Sequence, residues 1–247
     1  LILSTALFGK APYKNVIVNG MVMAEDGKKI SKRLKNYPDP IKVIEKYGAD
    51  SLRYYLLSSP IMRAEDLSLS EASVSDVYRK IVVRLENVYS FYALYAEKVE
   101  AKDESKNVLD KWIIARLNEL KEAVSDGMDK YEIDKATRPI GDFIEDLSTW
   151  YIRRSRERFK ANSNSNGLNA RPSEGWFRDE NVEDKKAGLE TTLFVLKELS
   201  KILAPFMPFV AEDLYQKIKT EKDKESVHLE KWPKINRSNK DLIGEML

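Results

Sequence analysis

The sequence of 247 residues contains no cysteine and only one histidine, His228. The absence of cysteine excludes disulfides, thiolate nucleophiles and cysteine-bound zinc, and it fits a reducing compartment, so we expect a cytoplasmic protein. One histidine without partners supplies neither a nucleophilic triad nor a metal cluster, and we expect no metal site. Charge of one sign is not in excess either, because 42 Lys and Arg face 40 Asp and Glu. An anionic partner must therefore be bound by local basic patches.

Long apolar runs are also missing, and we expect no membrane association. The opening stretch LILSTALFGK lacks the basic leader of a signal peptide. We predict that it is the end of a buried helix. Because the first residue is not Met, we expect the sequence to be a piece of a longer chain.

The beginning of the chain predicts a small mixed segment. The run NVIVNGMVMAEDG reads as two short strands joined by Asn19 and Gly20, a pair that favours a type I′ hairpin turn. Asp26 and Gly27 predict a second turn. The basic stretch that follows is therefore expected to be a loop presented from the end of a hairpin.

Helix signals come next. Asp39 is predicted to cap a short helix that begins at Pro40 and ends at Gly48, because Asp, Pro and Gly favour these three positions. Asp50 is predicted to cap the following helix, SLRYYLL.

Beyond Ser70 apolar residues recur every three or four positions, which is the spacing of one face of an α-helix. The three stripes contain Val77, Ile81, Leu85, Val88, Tyr92, Tyr95 and Val99; Leu109, Ile113, Leu117, Leu120 and Val124; and Ile140, Phe143, Leu147, Tyr151, Ser155 and Phe159. Pro139 should kink or begin the third helix. A polar stretch, KANSNSNGLNARPSEG, predicts a flexible insertion, and a fourth helix is expected from Glu183 to Leu203, before the turn PFMPF and a short last helix. We predict a mainly α protein, a helix bundle over 70–247 preceded by a small α/β segment over 1–69.

One stretch, KKISKRLKNYPDP, carries the clearest chemical signal. Lys29 and Lys32 bracket Ser31, and the apolar Ile30 can hold the loop while both ammonium groups face outward. Placed ammonium groups lower the barrier of phosphate-displacing chemistry, since charge gathers on the phosphorus oxygens and on the leaving pyrophosphate. A solvated basic loop or a localisation cluster is the alternative that the residues leave open.

This stretch resembles the KMSKS signature of class I aminoacyl-tRNA synthetases, with residues 29–33 in its five places. Ile30 stands for Met and Arg33 for the last Ser, and Arg followed by LKNYPDP is similar to isoleucyl-tRNA synthetases of the archaeal and eukaryotic type. VIVNGMVMAEDG and YGADSLRYYLLSSP resemble the segments before and after the signature. The resemblance covers nearly the whole chain.

The resemblance implies that isoleucine is activated with ATP and Mg²⁺ and then transferred to tRNA(Ile). Lys29, Ser31 and Lys32 would be catalytic, and Lys29 and Lys32 would bind ATP, with Lys32 the main stabiliser of charge on the pyrophosphate side. Residues 1–69 would be the C-terminal part of a Rossmann catalytic domain, and residues 70–247 a class Ia anticodon-binding domain. The HIGH-type motif and the editing domain are absent, so the fragment alone should be inactive and hold no cofactor, with ATP and isoleucine bound through the missing half.

The stretch STWYIRRSRERF concentrates positive charge on one helix. Its arginines are Arg153, Arg154, Arg156 and Arg158. Like charges three or four residues apart disfavour a helix, so either Glu157 and acids on neighbouring helices or RNA phosphates should compensate them. The stretch resembles the DLSxWYxRRSRxRF segment of the isoleucyl anticodon-binding domain. That likeness implies tRNA contacts from Trp150 and the four arginines, while helical spacing places Tyr151 in the core.

Three alternatives stay open at this point. One is a stand-alone RNA-binding module that kept the bundle and lost the chemistry. Another is a helical scaffold without a nucleic acid partner. Within the synthetases, a valyl-type relative is the alternative to the isoleucyl type. We expect a monomer.

Overall fold

The protein is mainly α-helical, as the apolar stripes predict, and its only regular sheet among the described residues is a pair of two-residue strands. The computed structural model describes residues 1–247 except 32, 34, 35, 97, 98, 161–174, 237–241 and 245–247, and it describes the backbone alone for 175–181. In the part that is described, no helix is long and apolar enough to cross a membrane.

The helices and strands follow one another in this order: α1 Ile2–Phe8, β1 Val22–Met23, α2 Pro40–Tyr47, α3 Ala49–Ser58, a 3-10 turn Pro60–Arg63, β2 Leu67–Ser68, α4 Glu71–Val77, a π-helical segment Tyr78–Val83, α5 Arg84–Tyr95, α6 Val108–Asp129, α7 Ile133–Glu145, a second π-helical segment Asp146–Ile152, α8 Arg153–Lys160, α9 Gly175–Leu203, α10 Pro208–Ile218 and a 3-10 turn Val227–Leu229. The π segments are continuous with the helices on both sides. Residues 71–95 and 133–160 are therefore two long helices.

The sheet differs from the hairpin that the sequence predicts. β1 pairs in parallel with β2, with Val22 opposite Leu67, and the described residues before Gly20 form no strand. The backbone amide of Gly20 donates to the carbonyl of Ile61 at 2.8 Å, and a Cβ on Gly20 would lie 1.8 Å from the carbonyl oxygen of Glu65. Glycine is thus required here for a close approach of two chain segments, and the type I′ turn predicted at Asn19 and Gly20 is wrong.

The predicted cap and end of α2 are confirmed, whereas the predicted cap of α3 is wrong. The carboxylate of Asp39 accepts a hydrogen bond from the amide of Ile41 at 3.0 Å, and Gly48 ends α2 with φ of 81°. Asp50 lies within the first turn of α3 and is buried, and its carboxylate instead accepts from the amide of Val210 at 2.7 Å. Asp50 therefore caps α10, a helix 160 residues further along the chain.

The core of the bundle lies between the long helices and contains the predicted stripes. Phe143, Leu147, Tyr151 and Phe159 are all buried to 1% exposure or less. In the first stripe Ile81, Leu85, Val88 and Tyr92 are buried and the other residues are half-buried, and its helix ends at Tyr95, before Val99. Each stripe thus supplies the face through which its helix packs on its neighbours, and burial of this apolar surface stabilises the bundle.

Several helix ends differ from the predicted ones. Pro139 lies inside α7, which begins at Ile133. α9 begins at Gly175, eight residues before the predicted Glu183, and most of the predicted flexible insertion lies outside the described residues. The opening helix α1 has no buried residue, so its predicted burial is wrong within this chain.

The front segment is joined to the bundle by polar contacts made around α3. The hydroxyl of Tyr54 donates to the carbonyl of Thr137 at 3.0 Å, and Arg53 donates to the carbonyl of Pro205 at 3.0 Å. From the bundle side, Arg138 donates to the carbonyl of Ser58 at 2.8 Å. Together with the cap made by Asp50, these bonds fix α3 against both α7 and α10. The division at residue 69 stays a prediction.

Candidate functional site

The basic loop begins at a tight turn directly after β1. The amide of Gly27 donates to the carbonyl of Ala24 at 2.9 Å with φ of 74°, a left-handed conformation that favours glycine. The amide of Ala24 in turn donates to the carbonyl of Lys28 at 2.8 Å, and Lys29 forms an antiparallel bridge with Met23. The predicted turn at Asp26 and Gly27 is therefore present. It fixes the start of the loop to the strand.

Beyond Lys29 the loop leaves the strand and runs to the cap of α2. Lys29 is exposed, whereas Ile30 and Ser31 are half-buried, so the apolar residue faces the protein and the lysine faces solvent. Lys32 lies outside the described residues. Arg33 is exposed. An exposed ammonium group on a loop that is tied at its start can approach a bound polyphosphate and stabilise negative charge there.

The side chain of Asn36 closes this loop. Its Oδ1 accepts a hydrogen bond from the amide of Ser31 at 2.9 Å, and its Nδ2 donates to the carbonyl of Lys29 at 3.2 Å. The sequence analysis missed this residue. Its only signal in the sequence is an amide side chain close to the signature.

The second candidate surface is the start of α8. Arg153, Arg154 and Arg156 are exposed, together with Glu157, directly after the second π segment. Glu157 pairs with Lys160 at 3.1 Å. Three exposed guanidinium groups on two turns of helix offer the planar donors that bind phosphates or stack on bases.

Trp150 stands at the edge of this surface. It is half-buried, its ring lies 3.8 Å from the guanidinium carbon of Arg154, and its ring centroid lies 6.3 Å from that of buried Trp112. A cation this close to an indole face is attracted by the ring quadrupole. The face of Trp150 on this side is therefore covered by Arg154, and the two form one unit. Tyr151 is fully buried, as predicted.

Arg158 takes a different place from the other three arginines. Its guanidinium group is 9% exposed and donates to both carboxylate oxygens of Asp110, at 2.7 and 2.6 Å. It also donates to the carbonyl of Asp184, at 2.8 Å. Because its donors are used inside the protein, the structure assigns Arg158 to an internal ion pair. The predicted tRNA contact of Arg158 stays a prediction, and we leave this residue out of the candidate surface.

The same ion pair includes a phenol. The hydroxyl of Tyr151 donates to Oδ1 of Asp110 at 2.8 Å, and Ser105 donates to its Oδ2 at 2.6 Å. Burial raises the pKa of Tyr151, and the charge of Asp110 raises it further. Burial opposes the charge of Arg158, but the hydrogen bonds and charge of Asp110 outweigh it and keep the pKa of the guanidinium above its ordinary value. This group of residues holds α8 against α6 and α9.

Acidic residues elsewhere on the bundle pair with arginines. Asp146 accepts from Arg116 at 2.7 Å, and Glu145 lies 3.4 Å from Arg84. Within the described ranges no group of three or more His, Cys, Asp or Glu side chains could hold a metal ion. The chemistry that these sites offer is therefore positive charge on a loop and on a helix face.

Comparison with known sequence families identifies both segments. Residues 110–246 match the family described as the anticodon-binding domain of tRNA ligase. The chain belongs to this family. Residues 1–68, which include the described part of the basic loop, match the class I tRNA synthetases for I, L, M and V. The tRNA ligase assignment thus covers the front segment as well as the bundle.

Relatives of this chain include curated proteins named isoleucine–tRNA ligase. That of Chlamydia muridarum (strain MoPn / Nigg) is 43% identical over 239 residues, which are 95% of this chain and 21% of the relative. That of Protochlamydia amoebophila (strain UWE25) is 42% identical over 237 residues, 94% of this chain and 21% of the relative. The chain therefore spans about a fifth of the length of the curated relatives it matches.

Solved structures of two tRNA synthetases share the fold. The chain resembles Agrobacterium radiobacter K84 agnB2 LeuRS, solved in a ternary complex with tRNA and LeuAMS, with a TM-score of 0.61 and 20% identity over 91% of this chain and 24% of the other. It resembles Mycobacterium tuberculosis methionyl-tRNA synthetase in complex with methionyl-adenylate with a TM-score of 0.60 and 20% identity, over 79% of this chain and 36% of the other. The predicted helix bundle behind a small α/β segment is confirmed.

Proposed function

We propose that this chain is the part of an isoleucine–tRNA ligase that carries the lysine loop of the active site and binds tRNA(Ile) through its bundle. The observation that supports it most is the exposed Lys29 on a loop tied to β1, in a chain whose relatives are named isoleucine–tRNA ligase. In this proposal residues 1–69 belong to the catalytic domain and residues 70–247 form the anticodon-binding domain.

The first step of the proposed reaction is adenylate formation. A carboxylate oxygen of isoleucine attacks the α-phosphorus of ATP, the bond to the bridging oxygen of the β-phosphate breaks, and pyrophosphate leaves with that electron pair. Lys29 and Lys32 stabilise the charge that gathers on the phosphate oxygens, and neither has to transfer a proton. Ser31 contributes its hydroxyl group, while its backbone amide donates to Asn36.

ATP acts together with Mg²⁺ in this proposal. In the described part of the chain no acidic cluster offers a magnesium site, so phosphate oxygens and residues of the intact enzyme would bind the ion. In the second step a hydroxyl group of the terminal ribose of tRNA attacks the carbonyl carbon of the adenylate, and AMP leaves. The intact protein is proposed to be a cytoplasmic monomer, and the fragment alone inactive.

The tRNA part of the proposal is carried by the exposed face of α8. Arg153, Arg154 and Arg156 are free of the internal ion pair that occupies Arg158, and Trp150 lies beside them. Guanidinium groups beside an aromatic ring are suited to the phosphates and unstacked bases of a single-stranded loop. We propose that these four residues contact the anticodon arm.

Lysine substitutions in the full-length protein test the catalytic part. Lys32→Ala and Lys29→Ala are expected to slow ATP–pyrophosphate exchange with isoleucine by about 10²- to 10³-fold, the loss seen when one preorganised donor is removed. Isoleucine binding should change little, because the lysines act on phosphate charge. Lys28→Ala is the matched control, since Lys28 is an exposed lysine directly before Lys29 and pairs with Asp26 at 3.1 Å. Equal exchange rates in all three variants would reject the assignment.

A further inference from the structure

Asn36 connects two backbone groups that lie on either side of Ile30. Its Oδ1 accepts from the amide of Ser31 at 2.9 Å, while its Nδ2 donates to the carbonyl of Lys29 at 3.2 Å. Both bonds come from one planar amide group, so they restrain the backbone between these residues in distance and in orientation. Asn36 itself is half-buried.

The two hydrogen bonds of Asn36 lie at the point where the loop stops pairing with β1. Lys29 is bridged to Met23, and α2 begins after its cap, Asp39. A loop of this length samples many backbone conformations unless hydrogen bonds within the loop restrict it. In the described part of the loop, the amide of Asn36 supplies such bonds. Asn36 therefore restrains the backbone beyond the strand, as far as Ser31.

We propose that Asn36 is a positioning residue for adenylate formation, which holds the backbone of residues 29–31 so that the lysine side chains of the loop meet the phosphates of ATP. This inference rests on the proposed function of the loop. Asn36 acts through Lys29 and Ser31 and does not touch the reacting atoms. A loop that is already ordered requires no rearrangement when charge develops, which is the condition for electrostatic stabilisation of a transition state.

Two substitutions separate the two bonds. Asn36→Ala removes both, while Asn36→Asp keeps an acceptor for the amide of Ser31 and loses the donor to the carbonyl of Lys29. In the full-length protein, Asn36→Ala is expected to lower kcat for ATP–pyrophosphate exchange roughly 5- to 100-fold, the range expected from two hydrogen bonds. Asn36→Asp should lie between this variant and the unchanged protein. The KM for isoleucine should stay within about twofold in both variants.

The matched control is Asn15→Ala, which removes an exposed asparagine of the same front segment. This variant should leave kcat, the KM for isoleucine and the KM for ATP unchanged. Thermal unfolding of every variant shows whether the protein is folded under the assay conditions. If Asn36→Ala does not fold, the residue is structural and the proposal is overturned.

A double-mutant cycle distinguishes a positioning residue from a residue that only stabilises the fold. In a protein that already carries Lys29→Ala and Lys32→Ala, adding Asn36→Ala should lower kcat by less than about twofold, because the lysine side chains are gone and of the proposed catalytic groups only Ser31 remains. An additional loss as large as in the unchanged background overturns the proposal. So does an Asn36→Ala enzyme with unchanged kcat.

The same data separate this inference from the proposed function. If the lysine variants exchange pyrophosphate at the normal rate, the proposed function of the loop fails. If the lysine variants are slow and Asn36→Ala is not, the proposed function stands and only the role of Asn36 is rejected.

Discussion

Arg158 donates two parallel hydrogen bonds to the carboxylate of Asp110, and the two side chains join α8 to the beginning of α6 inside the bundle. Asp110 is completely buried, and its oxygens also accept from Tyr151 and Ser105. A buried charge pair of this kind is costly to break from one side, because the remaining charge keeps its desolvation penalty.

Removal of one partner should therefore destabilise the chain strongly. Asp110→Ala leaves the guanidinium group of Arg158 buried with only the carboxylate of Asp184, at 2.8 Å, and the free energy of unfolding is expected to fall by about 3 kcal/mol, the lower end of the range for a broken buried pair. Urea denaturation of the 247-residue chain measures the change. The control is Asp126→Ala on the same helix, whose carboxylate forms an exposed pair with Lys130 at 2.7 Å; its loss should be within about 1 kcal/mol. Similar losses in the two variants would contradict the internal role of Arg158.

The exposed arginines should govern RNA affinity without affecting stability. Arg153→Ala, Arg154→Ala and Arg156→Ala are each expected to weaken binding of tRNA(Ile) and to reduce the slope of log affinity against log salt by about one. Arg79→Ala removes the same charge from an exposed ion pair with Asp76 and serves as the control. A salt titration of tRNA binding at constant protein concentration provides the measurement. The tRNA interface proposed for α8 fails if the control and the α8 variants bind alike.

The long-range cap of α10 predicts a local effect. Asp50→Ala removes the acceptor of the amide of Val210, and loss of an N-cap costs about 1 kcal/mol. Amide hydrogen exchange at Val210 should become faster in this variant. Asp39→Ala, which removes the cap of α2, should leave exchange at Val210 unchanged. Faster exchange in both variants, or in neither, would contradict the assignment of Asp50 to α10.

A second internal ion pair predicts a dependence on pH. Lys121 is 2% exposed, and its ammonium group lies 2.6 Å from the carboxylate of Glu198. Burial acts to raise the pKa of Glu198, but the hydrogen bond and charge of Lys121 outweigh it, and the pKa lies below its usual value of 4.5. A carboxyl group whose pKa is lower in the folded state stabilises the protein above its unfolded pKa, and this stabilisation is lost as pH falls through the folded pKa.

The variant Glu198→Gln should lack this part of the acid sensitivity. The difference in unfolding free energy between the unchanged chain and the variant is expected to be largest near pH 7 and to shrink below pH 4.5. Denaturation curves at several pH values between 3 and 7 measure it. A difference that stays constant over this range would show that Glu198 does not titrate as proposed.

The helices were predictable because their apolar stripes are long and regular. The π segments left a signal in the same stripes, although the sequence analysis did not use it. Four-residue steps rotate by about 40° each around an ideal α-helix, so a stripe such as Phe143, Leu147, Tyr151 and Phe159 would leave the core. The wider turns of the π segment at Asp146–Ile152 compensate for this rotation. The steps from Val77 through Ile81 to Leu85 span the other π segment in the same way.

The contacts that sequence reasoning missed join residues far apart in the chain. Asp50 has the residue type and local position of a cap for α3. Its carboxylate instead accepts from the amide of Val210, because the fold brings the beginning of α10 next to it. Arg158 is one of four similar arginines, and only the proximity of Asp110 distinguishes it. Gly20 follows Asn in a sequence typical of a turn, yet its role is set by Glu65. Local propensity contains no information on such tertiary partners.

The pairing of β1 with β2 has a consequence for the order in which the protein is made. Val22 and Met23 are synthesised well before their partners Leu67 and Ser68, and the whole lysine loop lies between them. A nascent chain that ends before Leu67 therefore contains β1, to which the start of the loop is bound, but lacks β2, with which β1 pairs. β1 can pair with β2 only after the ribosome has released this later stretch, so ribosome stalling between the two strands would leave Lys29 bridged to a strand that lacks its partner.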